Sequence, residues 1–455
     1  MIGHKLRRIC SSKYLNHFRA AQNLAKSEIE IEVLHKQDAQ VTQSTAGITV
    51  ASVENYSPVS NVSVVLKAGS RYEDHNNKGI VHLLRNCATL STMNNTAFAL
   101  TRNLEVLGAK LFVTSSRDHL IYTLQCARDN VDPALQLLAD VVCNPAYKPW
   151  ELTEVPPRLD VDLAMHNANP ESVLLEALHK ISFRGGLGNS LFSPSFMIGK
   201  HTTEMLEDFV RDHYTVPRTS VVGLGIPHDD LQESVNQLFN LKESQSGTEG
   251  TSKFAPGELR VEANIPNVHT AIVAEGAGLN NPKEALSLGV LESILGLGSH
   301  VGLGGCSFSK LGEAAAKSTI NPFHVSGLNI KYSDTGLFGV YIAGQPEDMN
   351  QLVKSVVAQM KASAKSISAS DVETAKHKLK AKILLERETN SDVLAAMCAE
   401  VAQYGKVSDV KEILKSVDEI TAADVSNIAA KVVKAKPAMA SVGKLHSTPH
   451  VDELL

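Results

Sequence analysis

Along residues 108–142, GAKLFVTSSRDHLIYTLQCARDNVDPALQLLADVV, apolar and polar positions alternate, stop at Ser116–His119, and alternate again. A period of two on both sides of a polar break predicts two strands joined by a tight turn. Asp132 and Pro133 then open a helix, Asp as N-cap and Pro at the first helical position. Residues 325–360, VSGLNIKYSDTGLFGVYIAGQPEDMNQLVKSVVAQM, repeat the plan, with a turn at Asp334-Thr335-Gly336 and with Pro346 to Asp348 ahead of a helix. Leu120 and Leu337 hold matching places after the two turns.

A second pair of segments supports the first. Residues 202–226 read as a helix, a break at Pro217 and a strand, and residues 422–445 as a helix, a break at Pro437 and a strand. The spacing from Leu120 to Leu337 is close to that from Pro217 to Pro437. Two pairs in register point to a duplication within the chain. Between the halves, residues 243–257 are rich in Ser, Gly, Thr and Glu and read as a linker. The expected organisation is a domain at 40–242, the linker, and a domain at 258–455. Hairpins interleaved with returning helices predict an α+β fold of two homologous halves, each a mostly antiparallel sheet covered by helices. Ser370 to Glu373 form a candidate capping box, and Thr421 is the expected cap of the helix after it.

Composition narrows the function. The 455 residues allow about two to four domains. Hydrophobic content of 43% and charged content of 20% are ordinary for a soluble globular chain. No apolar run is long enough to span a bilayer, so any membrane association is indirect. A net charge of −5 gives no bulk electrostatic case for nucleic acid. Cys10, Cys87, Cys126, Cys143, Cys306 and Cys398 show no zinc-ligand spacing and read as reduced, mostly buried thiols. The first 20 residues carry Lys5, Arg7, Arg8, Lys13 and Arg19 among scattered apolar residues, with no acid before Glu28. Composition favours a mitochondrial targeting segment and flexible arm over residues 1–30, ahead of an ordinary basic tail.

Residues 79–90, GIVHLLRNCATL, place Ile80, Leu83, Leu84, Cys87 and Leu90 at helical spacing. His82, Arg85 and Asn86 share another face at i, i+3 and i+4. A zinc peptidase of the inverted type needs HxxEH here: two His bind the metal and the Glu activates water. His82 keeps the first position, Arg85 replaces the base, and Asn86 replaces the second ligand. A fixed cation at the base position repels a metal and accepts no proton.

These residues carry a resemblance. GSRYEDHNNKGIVHLLRNCATL (69–90) is similar to the start of the mitochondrial processing peptidase (pitrilysin-like) family, whose members carry a glycine-bounded strand, an acidic loop and G-x-x-H-x-x-E-H. Gly108 and Ile198-Gly199 match further family elements, and the resemblance covers nearly the whole chain after residue 40. It implies a metallopeptidase-like fold in two halves. It also implies a third ligand on a later helix, which register from Asn169-Pro170 places near Asp162. His82 and Asp162 are then the only usable ligands, too few for a stable zinc site. Arg85 and Asp162 are expected to lie close enough to pair.

Within the family, NYSPVS (55–60), KAGSRYED (67–74), KYSDTGLFG (331–339) and VDEL (451–454) resemble the non-catalytic members that build the matrix-facing core of respiratory complex III. The resemblance implies a structural role in the assembly and stability of that complex. It implies a related core subunit, core protein 1, as partner, and beyond it cytochrome b, the cytochrome c-type haem subunit and the Rieske subunit of a dimeric assembly. Haem and iron–sulfur cluster belong to those partners, and no cofactor or metal to this chain. The location implied is peripheral, on the matrix side of the mitochondrial inner membrane. The alternative is the non-catalytic partner subunit of a mitochondrial processing peptidase.

Other signals are weaker. GLGSHVGLGG (296–305) matches no phosphate-binding pattern and reads as a flexible loop ahead of a residual peptide-handling role. Glu176 and His179 form ExxH without the second copy a di-iron bundle needs, so a solvated helix face is expected. His75 reads as a surface residue beside Glu73 and Asp74, and His119 lies at a hairpin turn. His213, near a helix C-terminus, is expected to be favourable there when partly charged. No serine or cysteine sits in a nucleophile elbow such as GxSxG.

Overall fold

The computed structural model describes residues 37–243, 252–296 and 309–454. All elements below belong to one compact unit, Asp38–Leu455. The expected targeting segment, Cys10, Cys306, residues 244–251 of the linker and residues 297–305 of the glycine-dense stretch lie outside the described residues.

The first half opens with β1 (Gln40–Gln43), β2 (Thr49–Val53) and β3 (Val59–Leu66). Helices α1 (Ile80–Cys87) and α2 (Ala97–Val106) precede the hairpin β4 (Lys110–Ser115) and β5 (Leu120–Ala127). Then come α3 (Val131–Cys143), α4 (Pro149–Leu152), α5 (Pro156–Ala168), α6 (Pro170–Ser182) and α7 (Thr203–His213), followed by β6 (Thr219–Leu224) and α8 (His228–Leu238). The second half runs β7 (Glu258–Glu262), β8 (Val268–Glu275), α9 (Pro282–Leu295), α10 (Lys310–Ser318), β9 (His324–Lys331) and β10 (Gly336–Gly344). It ends with α11 (Met349–Lys365), α12 (Ala369–Leu385), α13 (Asn390–Tyr404), α14 (Val410–Asp418), α15 (Ala422–Lys434) and β11 (Ala438–Gly443).

The strand orders are β1-β2-β6-β3-β5-β4 and β7-β11-β8-β10-β9. With β1 set aside they are the same order, and each contains one parallel pairing, β2 with β6 and β7 with β11, among antiparallel ones. The fold is α+β, two helix-covered, mostly antiparallel sheets, as the alternating segments lead one to expect. Along β5 the inward residues Leu120, Tyr122, Leu124 and Cys126 are buried and the intervening ones are not, the pleat of a half-buried strand.

One face of each sheet is covered by helices of its own half. The other face is covered by a helix from the opposite half. Leu174, Ala177 and Leu178 of α6 pack on Ala271, Val273, Ala440 and Val442 of the second sheet. Leu394, Met397, Cys398 and Val401 of α13 pack on Ala51, Val53, Val65 and Val222 of the first. Each Leu, Val or Met side chain among them contributes about 1.5–3 kcal/mol by leaving water, so the exchange of helices ties the halves together.

Two helix starts differ from expectation. Helix α3 begins at Val131 behind a 3-10 turn, Arg128–Asn130, so Asp132 lies inside the first turn rather than at the cap. The preceding turn already sets helical backbone, and Asp132 still meets the positive helix end. The capping box of α12 is Ser368 with Asp371, two residues before the expected one, and Glu373 instead pairs with Lys376 at 3.1 Å. Thr421 caps α15 with Asp424 in the reciprocal arrangement.

Candidate functional site: the polar face of the first helix

Helix α1 starts at Gly79, whose φ of +82° suits glycine. A Cβ there would lie 2.5 Å from Ser193 Oγ, so glycine is also required by close approach. No side chain at Gly79 caps the helix. Glu73 does this work from six residues upstream, accepting from Gly79 N–H at 2.8 Å and Val81 N–H at 3.0 Å. Glu73 is buried, which pushes its carboxyl up to about 8 against the lowering effect of those two bonds. Sequence reasoning placed Glu73 only in an acidic turn with His75, which is exposed. The usable signal was the helix start without a capping side chain.

Ile80, Leu83, Leu84 and Cys87 bury the apolar side of α1. The other side brings His82, Arg85 and Asn86 to Asp162 on α5. Arg85 Nη2 donates to Asp162 Oδ2 at 2.6 Å, His82 Nε2 lies 3.0 Å from the same oxygen, and Asn86 Nδ2 donates to it at 3.3 Å. Asn86 Nδ2 also donates to His82 O at 3.1 Å, inside its own helix.

The His82 ring is 1% exposed. Ser193 N–H donates to its Nδ1 at 3.1 Å, so the ring proton resides on Nε2 and is donated to Asp162. Burial, with Arg85 opposing Asp162, lowers the imidazole pKa and keeps the ring neutral. Burial raises the Asp162 carboxyl, but the bonds from His82, Asn86 and Arg85 outweigh it and hold it below its ordinary value. Phe192 closes the face, edge-on to His82 at 5.4 Å and stacked on His166 at 4.2 Å, with the Arg85 guanidinium 6.0 Å from its centroid. A cavity of about 600 Å³ opens beside it, lined by Glu73, His166, Glu176, Phe192, Phe196 and Leu259 among others.

A zinc ion does not fit this donor set. Both nitrogens of His82 are engaged, Nδ1 by a backbone N–H and Nε2 by its own proton. A guanidinium occupies the carboxylate that remains. Among the described residues no three His, Cys, Asp or Glu side chains converge. What this face can do is pack and pair. Asp162→Asn should therefore behave as a loss of packing order, costing about 1–2 kcal/mol because Asp162 is partly exposed. Urea unfolding of the variant beside the parent measures it.

Two expectations are corrected nearby. Glu176 and His179 do not form a solvated face. His179 is 2% exposed, donates from Nδ1 to Leu175 O at 2.7 Å and accepts from the Tyr332 hydroxyl at 2.7 Å. Glu176 is held by Arg117 at 2.7 Å. The reason is that α6 crosses to the opposite sheet, which a helix read by itself does not reveal. His213 is not a charged C-terminal residue. Burial lowers its pKa, and the ring stacks on Phe209 at 4.2 Å. The thiols of Cys87, Cys143 and Cys398 are pushed by burial to about 12 and Cys126 to about 11, which removes them as nucleophiles.

Comparison with known proteins places this geometry in a family. The insulinase (peptidase family M16) model matches residues 49–195, and the M16 inactive-domain model matches residues 200–379. Over 419 residues the chain is 38% identical to the mitochondrial cytochrome b-c1 complex subunit 2 of Homo sapiens, covering 92% of each.

The chain belongs to the M16 peptidase family.

A second relative within M16, cytochrome b-c1 complex subunit 2 of Yarrowia lipolytica, is 30% identical over 422 residues, 91% of this chain and 96% of its own. The mitochondrial-processing peptidase subunit alpha of Solanum tuberosum is 28% identical over 422 residues, 91% and 83%. In this M16 chain no described helix is long and apolar enough to cross a membrane.

Proposed function

We propose that the protein is a non-catalytic structural core subunit of the cytochrome b-c1 complex, respiratory complex III, serving its assembly and stability. The observation that carries the reading is the 38% identity to the human subunit 2 along 92% of both chains, against 28% for the potato processing-peptidase subunit. The α1 face supports it: His82, Arg85, Asn86 and Asp162 are the degenerate positions of a peptidase site, and satisfy one another instead of a metal. The chain pairs with a related core subunit, core protein 1. Cytochrome b, the cytochrome c-type haem subunit and the Rieske subunit complete the dimeric assembly and carry its haem and iron–sulfur centres. The chain sits peripherally on the matrix side of the inner membrane.

The test is an affinity pull-down of the tagged full chain from detergent-solubilised mitochondria, followed by a reduced-minus-oxidised visible spectrum. Haem b and haem c bands should co-elute in proportion to the chain. A haem-free heterodimer that cleaves targeting peptides would make it the partner subunit of a processing peptidase.

A further inference from the structure

The hairpin turns β4–β5 and β9–β10 close by the same backbone bond. Ser116 N–H donates to His119 O at 2.7 Å, and Tyr332 N–H to Thr335 O at 2.8 Å. Asp118 and Asp334 therefore hold the same position in two equivalent turns, and Leu120 answers to Gly336, one residue before the Leu337 that the sequence pattern suggests. The turns meet, for Ser333 N–H donates across to Asp118 Oδ2 at 3.2 Å. Between them stands Arg71, whose side chain is 4% exposed. It donates from Nη1 to Asp118 at 2.8 Å and from Nη2 to Asp334 at 2.8 Å. Nη1 also reaches Ser333 Oγ at 2.7 Å, and Nη2 reaches Ser252 Oγ at 3.1 Å.

The duplication did not double the cation. Gly69 lies against the turn at Arg117–Asp118, and Gly278 lies against the turn at Asp334–Thr335. Two residues after the first of these glycines comes Arg71; two after the second comes Asn280, a neutral side chain bonded to Gln403. Two equivalent acids thus share one base. Arg117, the neighbouring cation, is already committed to Glu176 and to Leu187 O.

We propose that Arg71 is a pin between the two halves, and that Asp118 and Asp334 form a repulsive pair whose shared cation is Arg71, the other donors to these carboxylates being the neutral Ser333 N–H on Asp118 and Ser252 N–H on Asp334. Two carboxylates mostly withdrawn from water attract a shared guanidinium and push each other apart without it. Removing the pin should separate the turns, not merely loosen one contact. The Tyr332–His179 bond crosses the same seam but carries no charge to oppose that repulsion.

The test uses the full chain with R71M and R71M/D118N/D334N, read by thermal unfolding and by amide exchange of residues 332–335 against strand β10. R71M should lower the Tm by roughly 5–10 °C and speed exchange at the turn about tenfold while β10 stays protected. Neutralising both aspartates in the R71M background should recover about half of each effect, because it removes the repulsion though not the lost bonds. An R71M protein that matches the parent overturns the pin. A triple variant no better than R71M overturns the repulsive pair. Should R71M fail to accumulate, accumulation of the triple variant supports the proposal and its failure overturns it.

Discussion

Arg85→Glu together with Asn86→His should give a chain that holds about one zinc, where the parent is expected to hold none. His82 Nε2 and Asp162 Oδ2 are 3.0 Å apart. Two ligands each about 2.0–2.1 Å from a tetrahedral zinc stand roughly 3.3 Å apart, so this edge of the polyhedron already exists. A histidine at position 86 adds the third ligand on the same helix face. A glutamate at position 85 removes the cation that now holds Asp162 at 2.6 Å. Zinc then competes with the proton on His82 Nε2, so uptake should rise with pH. Metal analysis after dialysis, and the visible spectrum of the cobalt form, read the outcome. A folded double variant without metal would sink the idea that α1 and α5 retain a zinc peptidase frame. Zinc on the parent chain would overturn the proton assignment at His82.

The second large effect is acid sensitivity at His179. Burial and the nearby Arg117 charge lower its pKa from 6.5 to about 3. A base depressed on folding stabilises the fold above its unfolded pKa, and that stability drains away as pH falls from 6.5 toward 3. At 1.36 kcal/mol per unit the full loss is about 4–5 kcal/mol, of which about 2 kcal/mol is gone by pH 5. His82, His201 and His213 are lowered by burial too and add to the trend. Glu73, raised by burial to about 8, works in the opposite sense and gains stability as pH falls from 8 toward 4.5. The His179 share is therefore read as the difference between parent and His179→Gln in urea unfolding at pH 7.5, 6, 5 and 4. His179→Gln should be less stable at pH 7.5, by about 1–2 kcal/mol, yet flatter between pH 6.5 and 4 by about 1.4 kcal/mol per unit. Parallel slopes for parent and variant would show that His179 titrates normally.

Much of the architecture was readable because its signals are local. The alternation through β4–β5 survives in the fold because β5 buries one face, whereas β10 is buried on both, by helices of its own half and by α6; the repeat was readable because both copies kept their turns. The helical face at His82 was legible from spacing, and Asp162 from register within the family resemblance. What escaped is contact between segments distant in sequence. Nothing around Ser193 announces a backbone donor to His82, and nothing in ExxH says that α6 leaves its own half. Arg71 sits in a stretch that reads as an ordinary turn, since its partners are supplied by two hairpins far along the chain. The cap of α12 was misplaced because Ser368 and Ser370 are equally suitable residues, and only the backbone selects between them.

The crossed helices also set an order of events during synthesis. The first sheet is complete once β6 leaves the ribosome, but Ala51, Val53, Val65 and Val222 remain bare until α13, near the end of the chain, has been made. Between the completion of β6 and that of α13 the nascent chain therefore displays an apolar sheet face with no cover of its own, a surface prone to self-association. Truncation before Asn390 removes α13 and should therefore leave that face without its cover.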